Sequence, residues 1–362
     1  MPRIAFSPAI VATLAAAMLF GASTPLAKQL LRDLSPILLA GLLYCGSGIG
    51  LTLIRVMRDR GWRVPSMTRN EWRWLLLAIG FGGVLGPLAL MLGLARTSAA
   101  SASLLLNLEA VLTALLAWIV FRENTDRRVV SGMALIVAGA VVLAWPGGSA
   151  GATLGWGALL IAGACLCWAL DNNLTRKVAA SDALFIAGIK GAAAGIVNIT
   201  LALLLGARLP SASTIAEAMT VGLFGYGASL VLFVIALRGL GAARTGAYFS
   251  TAPFMGAAIA ILAFGDHVSF LFWLAAALMG AGTWLHLTER HEHLHTHLPL
   301  THTHPHVHDA HHRHAHDFDW DGREPHIHPH SHASLTHCHP HFPDIHHQHE
   351  HGQRGHGPDH DS

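Results

Sequence analysis

The densest group of residues able to do chemistry is a histidine-rich segment near the carboxyl end of the sequence. Of the 27 histidines in the 362-residue chain, 25 follow His286 and none precedes His267. Most of them recur at every second position, which puts their side chains on one side of an extended chain. Imidazole suits zinc, nickel, cobalt and copper, so this spacing predicts a tail that binds transition-metal ions. The predicted ligands are His291, His293, His295, His297, His302, His304, His306, His308, His312, His314, His316, His326, His328, His330, His332, His337, His339 and His341.

This tail, residues 287–362, lacks apolar periodicity and holds seven prolines, so we expect it to be disordered. Two other interpretations stay open. The tail could be a low-complexity segment without a function, or a polycation that responds to pH, because histidine titrates near pH 6.5. Charge alone would not require regular alternation, so the spacing favours metal binding. The sequence does not identify the ion, and we expect no cofactor beyond it.

A second group of polar residues lies within long apolar stretches. Charged side chains at bilayer depth cost about 2.5–3.5 kcal/mol each, so they are functional candidates by default. A carboxyl group in a low-dielectric setting can exchange a proton near neutral pH, and Glu109 could do so or could bind a cation. It could instead be structural and pair with Lys190. The predicted substrate or coupling residues are Glu109, Asn107, Lys190, Asp171, Asn172, Trp168 and Tyr248.

The elements that must hold these residues are transmembrane helices. Apolar residues make up 52% of the chain and charged residues only 12%, about half the charged share of a soluble domain. Runs of about 20 apolar residues predict ten spans and an all-α integral membrane protein. The spans are residues 8–28, 36–56, 73–95, 98–120, 128–145, 156–175, 183–205, 216–238, 242–264 and 267–286.

The positive charges predict the orientation. With a cytoplasmic N-terminus, the inside segments carry 14 Lys and Arg residues and the outside loops carry four. The positive-inside rule therefore predicts a multi-pass protein of the inner (plasma) membrane with both termini in the cytoplasm. The histidine tail then faces the cytoplasm.

The sequence also repeats itself. LFGASTPLAKQLL (19–31) aligns with CWALDNNLTRKVA (167–179), and residues 96–124 align with 239–267 at a spacing of 143 residues. Each repeat, 8–145 and 156–286, holds five spans. Because five is odd, the second copy enters the membrane from the opposite side, which is the construction of many secondary transporters.

These two halves resemble EamA-type members of the drug/metabolite transporter superfamily. The likeness is carried by FGASTP in the first span, by the small residues of the fourth and ninth spans, and by the acidic residues Glu123 and Asp266 after them. It covers residues 8–286 and implies a ten-helix carrier, often an exporter of metabolites, amino acids or drugs. The fourth span has Glu109–Ala110 where the ninth has Ala252–Pro253, so it lacks a proline that members often carry there.

We therefore predict a secondary transporter, an exporter of a small metabolite or drug-like solute, with metal bound on its tail. No phosphate-binding GxxxxGK[ST] motif is present in the sequence, so an ion gradient, with proton coupling as one option, is the expected energy source. Two alternatives stay open: efflux of nickel, cobalt or zinc fed by the tail, and a membrane-anchored metal buffer or sensor. Against metal transport, no histidine precedes His267. The sequence offers no paired catalytic His/Asp set, which argues against an enzyme, and nothing in it supports nucleic-acid binding. The oligomeric state is not predicted.

Overall fold

A computed structural model of the chain describes residues 8–62, 64–65, 67–121, 127–145, 155–178, 181–288, 292–297, 300–306, 326–332 and 335–340. The body of the molecule is helical. Its α-helices are α1 (Pro8–Leu30), α2 (Pro36–Asp59), α3 (Arg69–Ala78), α4 (Gly86–Leu94), α5 (Ala99–Leu105), α6 (Leu108–Phe121), α7 (Arg127–Ala144), α8 (Trp156–Thr175), α9 (Ala183–Leu204), α10 (Ala212–Gly222), α11 (Ser229–Phe249), α12 (Ala252–Phe264) and α13 (Phe270–Leu287). A single 3₁₀ turn, Arg176–Val178, follows α8.

These helices confirm the predicted ten-span body. Within the described residues, nine helical runs are long and apolar enough to cross a membrane, and Phe270–His286 is a shorter apolar helix. Their ends fall within a few residues of the predicted spans. One difference lies between the eighth and ninth spans, where α11 continues as helix through the predicted connection at 239–241. No proline stands in that stretch to stop it.

Polar residues fix where the helices begin. Five helices start after a Ser, Thr or Asp whose side chain accepts a backbone N–H of the first turn, which satisfies a donor that has no partner inside the helix. At Thr68 the arrangement is a full capping box with Glu71. The capping residues are Ser35, Thr68, Ser98, Asp182 and Ser211.

The two repeats pack with the symmetry expected of an inverted pair. Equivalent spans meet directly: α2 packs against α9, α5 against α12, and α7 against α13. The first span, α1, packs against α11 and α12 of the second repeat, and its counterpart α8 packs against α4 and α6 of the first. Each repeat therefore completes its core with helices of the other.

Both repeats also interrupt the same spans. The third span contains a π-helical segment, Ile79–Leu85, and the eighth contains the equivalent one, Leu223–Ala228. The fourth span breaks between α5 and α6, and the ninth breaks between α11 and α12. The fourth span breaks without the proline that stands just after the break in the ninth. Such interruptions free backbone carbonyls and are tolerated inside a membrane only where they meet protein or a cavity.

Glycines allow the central spans to approach closely. A β-carbon on Gly191 would lie 2.8 Å from the backbone of Gly48, and one on Gly195 would lie 2.6 Å from the backbone nitrogen of Cys45. These contacts join α2 to α9 with no room for side chains. Small residues at helix interfaces are the usual means of tight association in lipid, because lipid gives little hydrophobic drive between helices.

The tail forms a separate unit, residues 290–362. Four short segments of it are described as strands: β1 (Glu292–His297), β2 (Leu300–His306), β3 (His326–His332) and β4 (Leu335–Pro340). β1 pairs with β4 and β2 with β3, both antiparallel.

Candidate substrate site between the two repeats

The central ion pair of the body joins Asp171 of α8 to Lys190 of α9. The Lys190 Nζ lies 2.5 Å from Asp171 Oδ2, and the Asp171 side chain is 6% exposed. The Thr175 hydroxyl donates to the other carboxylate oxygen at 3.0 Å. The Asp171 carboxylate packs against Gly82 of the first repeat, so a β-carbon added to Gly82 would overlap it. The predicted residues Asp171 and Lys190 therefore form one neutral unit at the contact between repeats.

Glu109 lies at the start of α6 and has a different partner. Asn172 Nδ2 donates to Glu109 Oε1 at 3.0 Å and lies 3.3 Å from the Thr113 hydroxyl. None of the ion pairs within the described part of the chain includes Glu109. The amide thus bridges the fourth and sixth spans and leaves the carboxyl group without a neutralising cation in contact.

This polar pair is not sealed in a dry core. Glu109 is half-buried and Asn172 is exposed, although both lie within membrane spans. Polar groups that face lipid are costly, so this carboxyl and amide at membrane depth are candidates for contact with a solute.

The π-helical segment of the third span supplies an acceptor beside this site. The Gly82 carbonyl accepts the Tyr44 hydroxyl at 2.9 Å and the Trp168 indole N–H at 3.0 Å. Asn198 Nδ2 lies 3.4 Å from the next carbonyl, that of Gly83. The π turn shifts the backbone bonds to a five-residue spacing, and side chains from α2, α8 and α9 use the carbonyls there.

The ring of Tyr44 belongs to a group of neighbouring aromatic rings. Its ring centroid lies 5.7 Å from that of Tyr226, which in turn lies 6.0 Å from Phe20. Phe20 lies 5.5 Å from Phe249. We call Phe20, Tyr44, Tyr226 and Phe249 the aromatic group. It draws on spans from both repeats and offers an apolar surface with two hydroxyl groups.

The two repeats differ in charge at one pair of equivalent positions, Ser23 and Asp171. In the alignment of the first and sixth spans, Ser23 corresponds to Asp171. Ser23 lies against Gly225 of one π-helical segment, as Asp171 lies against Gly82 of the other. The repeats therefore keep the same contact and differ in its chemistry, which makes the site polar on the Asp171 side and aromatic on the Ser23 side.

Five of the seven predicted site residues meet here: Glu109, Lys190, Asp171, Asn172 and Trp168. The other two do not join them by any described contact. Asn107 is buried and donates to the Leu104 carbonyl on its own span, at the break between α5 and α6. Tyr248 lies at the end of α11, where its carbonyl accepts the Thr251 hydroxyl. Both residues therefore lie at span breaks and have no contact with the charged group.

Sequence reasoning did not place Thr113, Phe20 or Tyr44 in the site. Tyr44 could have been found, because it is one of only three tyrosines and stands alone in an apolar span. Thr113 and Phe20 carry no such signal, since hydroxyl and phenyl side chains are ordinary in membrane helices. Their roles depend on which helix each faces.

Polar contacts also join the two repeats near both ends of the body. At the predicted cytoplasmic end, Asp182 contacts Arg58 and lies 3.5 Å from Arg55, which also meets Asp59 at 3.5 Å. At the opposite end, Asp266 Oδ2 accepts the Ala100 backbone N–H at 2.9 Å. These contacts join α2 to α9 and α12 to α5, and both therefore link equivalent spans of the two repeats.

The described helices of the body contain no group of three or more His, Cys, Asp or Glu side chains close enough to hold a metal ion. Of the predicted tail ligands, His293, His295, His297, His302, His304, His306, His326, His328, His330, His332, His337 and His339 lie in the described strands. The predicted ligands His291, His308, His312, His314, His316 and His341 lie outside the described residues, as does Glu123.

Two inverted five-helix repeats around a polar, accessible centre define a membrane transporter. Comparison with known proteins gives the family: residues 7–145 and 155–288 each match the EamA-like transporter family, and the chain belongs to it. This confirms the predicted resemblance and both repeats.

Individual relatives agree with this assignment. An uncharacterized transporter of Methanothermobacter thermautotrophicus is 29% identical over 291 residues, which cover 76% of this chain and 84% of the relative. A probable 4-amino-4-deoxy-L-arabinose-phosphoundecaprenol flippase subunit ArnE of Pseudomonas aeruginosa is 39% identical over 111 residues, which cover 30% of this chain and 91% of that protein. A solved crystal structure of a protein whose description names no activity covers 76% of this chain and 95% of its own. Its TM-score is 0.57 at 22% identity, so it shows the shared fold.

Proposed function

We propose that this transporter is a secondary active exporter of a small organic solute that carries a positive charge and an apolar part. The observation that carries the proposal is the unequal pairing of the two central carboxylates. Asp171 is paired with Lys190, whereas the side-chain donor that Glu109 has among the described residues is the amide of Asn172. The site thus holds one carboxyl group free to bind a cation or a proton.

The aromatic group supports an organic cargo. Cations are attracted to aromatic ring faces, and Tyr side chains add hydroxyl groups that can orient a polar end. The ArnE relative is named for a cargo with an amino group, which is the chemistry proposed here. A metal ion is less well supported as cargo, because no cluster of three metal-ligating side chains is found in the described part of the body.

Proton exchange at Glu109 would supply the energy. A carboxyl group that alternates between binding a proton and binding a cation couples the two fluxes, since it cannot hold both at once. On the predicted orientation, a proton entering from outside would displace the cationic solute taken from the cytoplasm. The half-buried position of Glu109 and the exposed position of Asn172 support access by both species.

The test is proton movement in proteoliposomes that contain the full chain and luminal pyranine. We would add organic amines and cations, with ethidium as the first probe, and in parallel Ni²⁺, Co²⁺ and Zn²⁺. We expect probe-dependent proton flux in the wild type and its loss in Glu109→Gln. The matched control, Glu217→Gln, changes a carboxylate on α10 and should transport normally.

Two results would overturn the proposal. One is proton flux driven by the metal ions and by none of the organic cations, which would favour metal efflux. The other is normal flux in Glu109→Gln. Absence of any flux in a folded wild-type protein would instead favour the buffer or sensor.

A further inference from the structure

The two strand pairs of the tail share one register. In the first ladder His297 is opposite Leu335, and in the second Leu300 is opposite His332. From the first ladder to the second, the chain advances three residues on one side, from His297 to Leu300, and three on the other, from His332 to Leu335. The two ladders therefore share the register of one long antiparallel hairpin.

Histidines stand opposite histidines along this register. In the outer ladder His293 is opposite His339, and His295 is opposite His337. In the inner ladder His302, His304 and His306 are opposite His330, His328 and His326, in that order. Since directly opposite residues of an antiparallel pair share a face, each ladder collects its paired histidines on one face.

This placement matches a metal site better than alternation along one strand does. Opposite β-carbons lie about 4.5–5.5 Å apart, and the next histidine on the same face lies about 6.6–6.8 Å along the strand. Two neighbouring rungs therefore place four histidine positions on the same face of a ladder. Four is the number of ligands in a closed tetrahedral zinc site, with Zn–N distances of about 2.0–2.1 Å.

The strands need such a cross-link. An isolated two-stranded hairpin is marginal in water at best. Pro305, Pro329 and Pro340 lie within these strands and have no N–H to give to a ladder. Binding energy from a metal becomes folding energy when the site exists only in the folded form.

We propose that the tail is a metal-assembled hairpin with two four-histidine sites for a divalent transition metal. The inner site is made of His302, His304, His328 and His330, and the outer site of His293, His295, His337 and His339. This goes beyond the transport proposal and does not depend on what the body carries. It also differs from a flexible tail, in which any four histidines could wrap around an ion.

The first experiment measures Zn²⁺ binding to the purified full-length chain by titration calorimetry. We compare the quadruple variant His302→Gln, His304→Gln, His328→Gln and His330→Gln with a matched control, His311→Gln, His312→Gln, His314→Gln and His316→Gln. We expect the ladder variant to lose one tight site, with at least a tenfold weaker affinity there, and the control to change less than threefold. Equal losses in both variants, or no loss in either, would overturn the proposal.

The second experiment tests the register with residues that are not ligands, in a Cys338→Ser background with Zn²⁺ bound. Thr301→Cys with Ser331→Cys, and Thr296→Cys with Thr336→Cys, place thiols at opposite positions, within the Cα separation that a disulfide bridges. The mismatched pair, Thr301→Cys with Thr336→Cys, is the control. We expect disulfides in the matched pairs at least tenfold faster than in the mismatched pair, and more slowly when EDTA removes Zn²⁺. Equal rates in all three pairs would contradict the hairpin.

Transport is measured separately in a chain that stops after Arg290. Normal flux in that chain, which lacks every proposed ligand, shows that transport does not depend on the tail, so failure of the metal sites and failure of the transport proposal are separate results.

Discussion

The Lys190 Nζ and Asp171 Oδ2 atoms lie 2.5 Å apart on neighbouring spans of the second repeat. The Asp171 carboxylate packs against Gly82 of the first repeat. A buried pair of this kind is weak evidence for stability, because desolvation offsets much of the attraction. A substitution that removes only one of the two charges is costly, since the other charge then stays buried without a partner. The relationship therefore gives several testable consequences for the site around it.

We expect Lys190→Met to destabilise the protein by about 3–5 kcal/mol, because Asp171 would lose its partner. The double variant Asp171→Asn with Lys190→Met should recover most of that loss. Thermal unfolding in detergent, followed by tryptophan fluorescence, measures both. An equal loss in the single and double variants would show that the charge pair is not what matters.

Gly82→Ala should be damaging and Gly80→Ala harmless, although both glycines lie in the same π-helical segment. An added methyl group at Gly82 would overlap the Asp171 carboxylate, whereas nothing lies within 4 Å at Gly80. Overpacking costs about 1–3 kcal/mol, and here it also pushes Asp171 away from Lys190. Melting temperature and solute-driven proton flux are the measurements. Similar behaviour of the two variants would be inconsistent with this contact.

Tyr44→Phe and Trp168→Phe each remove one of two donors to the Gly82 carbonyl. Either remaining donor still satisfies that oxygen, so we expect single losses of about 0.5–1.5 kcal/mol. The double variant leaves a carbonyl of the π segment without a side-chain donor and should lose more than the sum. A double-mutant cycle on thermal stability tests this, and strict additivity would contradict it.

Asp182 has two roles that different substitutions separate. Its Oδ1 accepts the Phe185 N–H at 2.8 Å and caps α9, and the same carboxylate contacts Arg55 and Arg58. Asp182→Ser keeps a capping oxygen and removes the charge, while Asp182→Ala removes both. We expect Asp182→Ala to be less stable than Asp182→Ser by about 1 kcal/mol.

The charge of Asp182 should matter for transport more than for stability. If its contacts with α2 control access at the predicted cytoplasmic end, Asp182→Ser should alter the initial rate of flux at least twofold while it folds normally. Proteoliposome rates measure this, with Asp33→Ser, on the connection after α1, as a control for loss of a surface charge. A wild-type rate in Asp182→Ser would show that the contacts do not control access.

The sequence by itself determined the architecture. Apolar length gave the ten spans, and an odd number of spans in each repeat required the inverted arrangement, because crossing an odd number of times reverses the side of entry. Charged residues at membrane depth also identified Glu109, Asp171 and Lys190 as candidates, since their insertion cost makes them rare without a purpose.

Only the tertiary structure decided which of these residues contact one another. The sequence could pair Lys190 with Glu109, and the structure pairs it with Asp171, because α8 and α9 both pack against the π-helical segment of the third span. Glu109 meets Asn172 because α6 packs against α8 of the other repeat, a contact that no local pattern encodes. Asn107 and Tyr248 looked equally suitable in sequence, and their helix positions direct them to span breaks. In the tail, alternation showed many histidines on one side of a chain, and only the register showed which histidines stand opposite one another, because register depends on the partner strand.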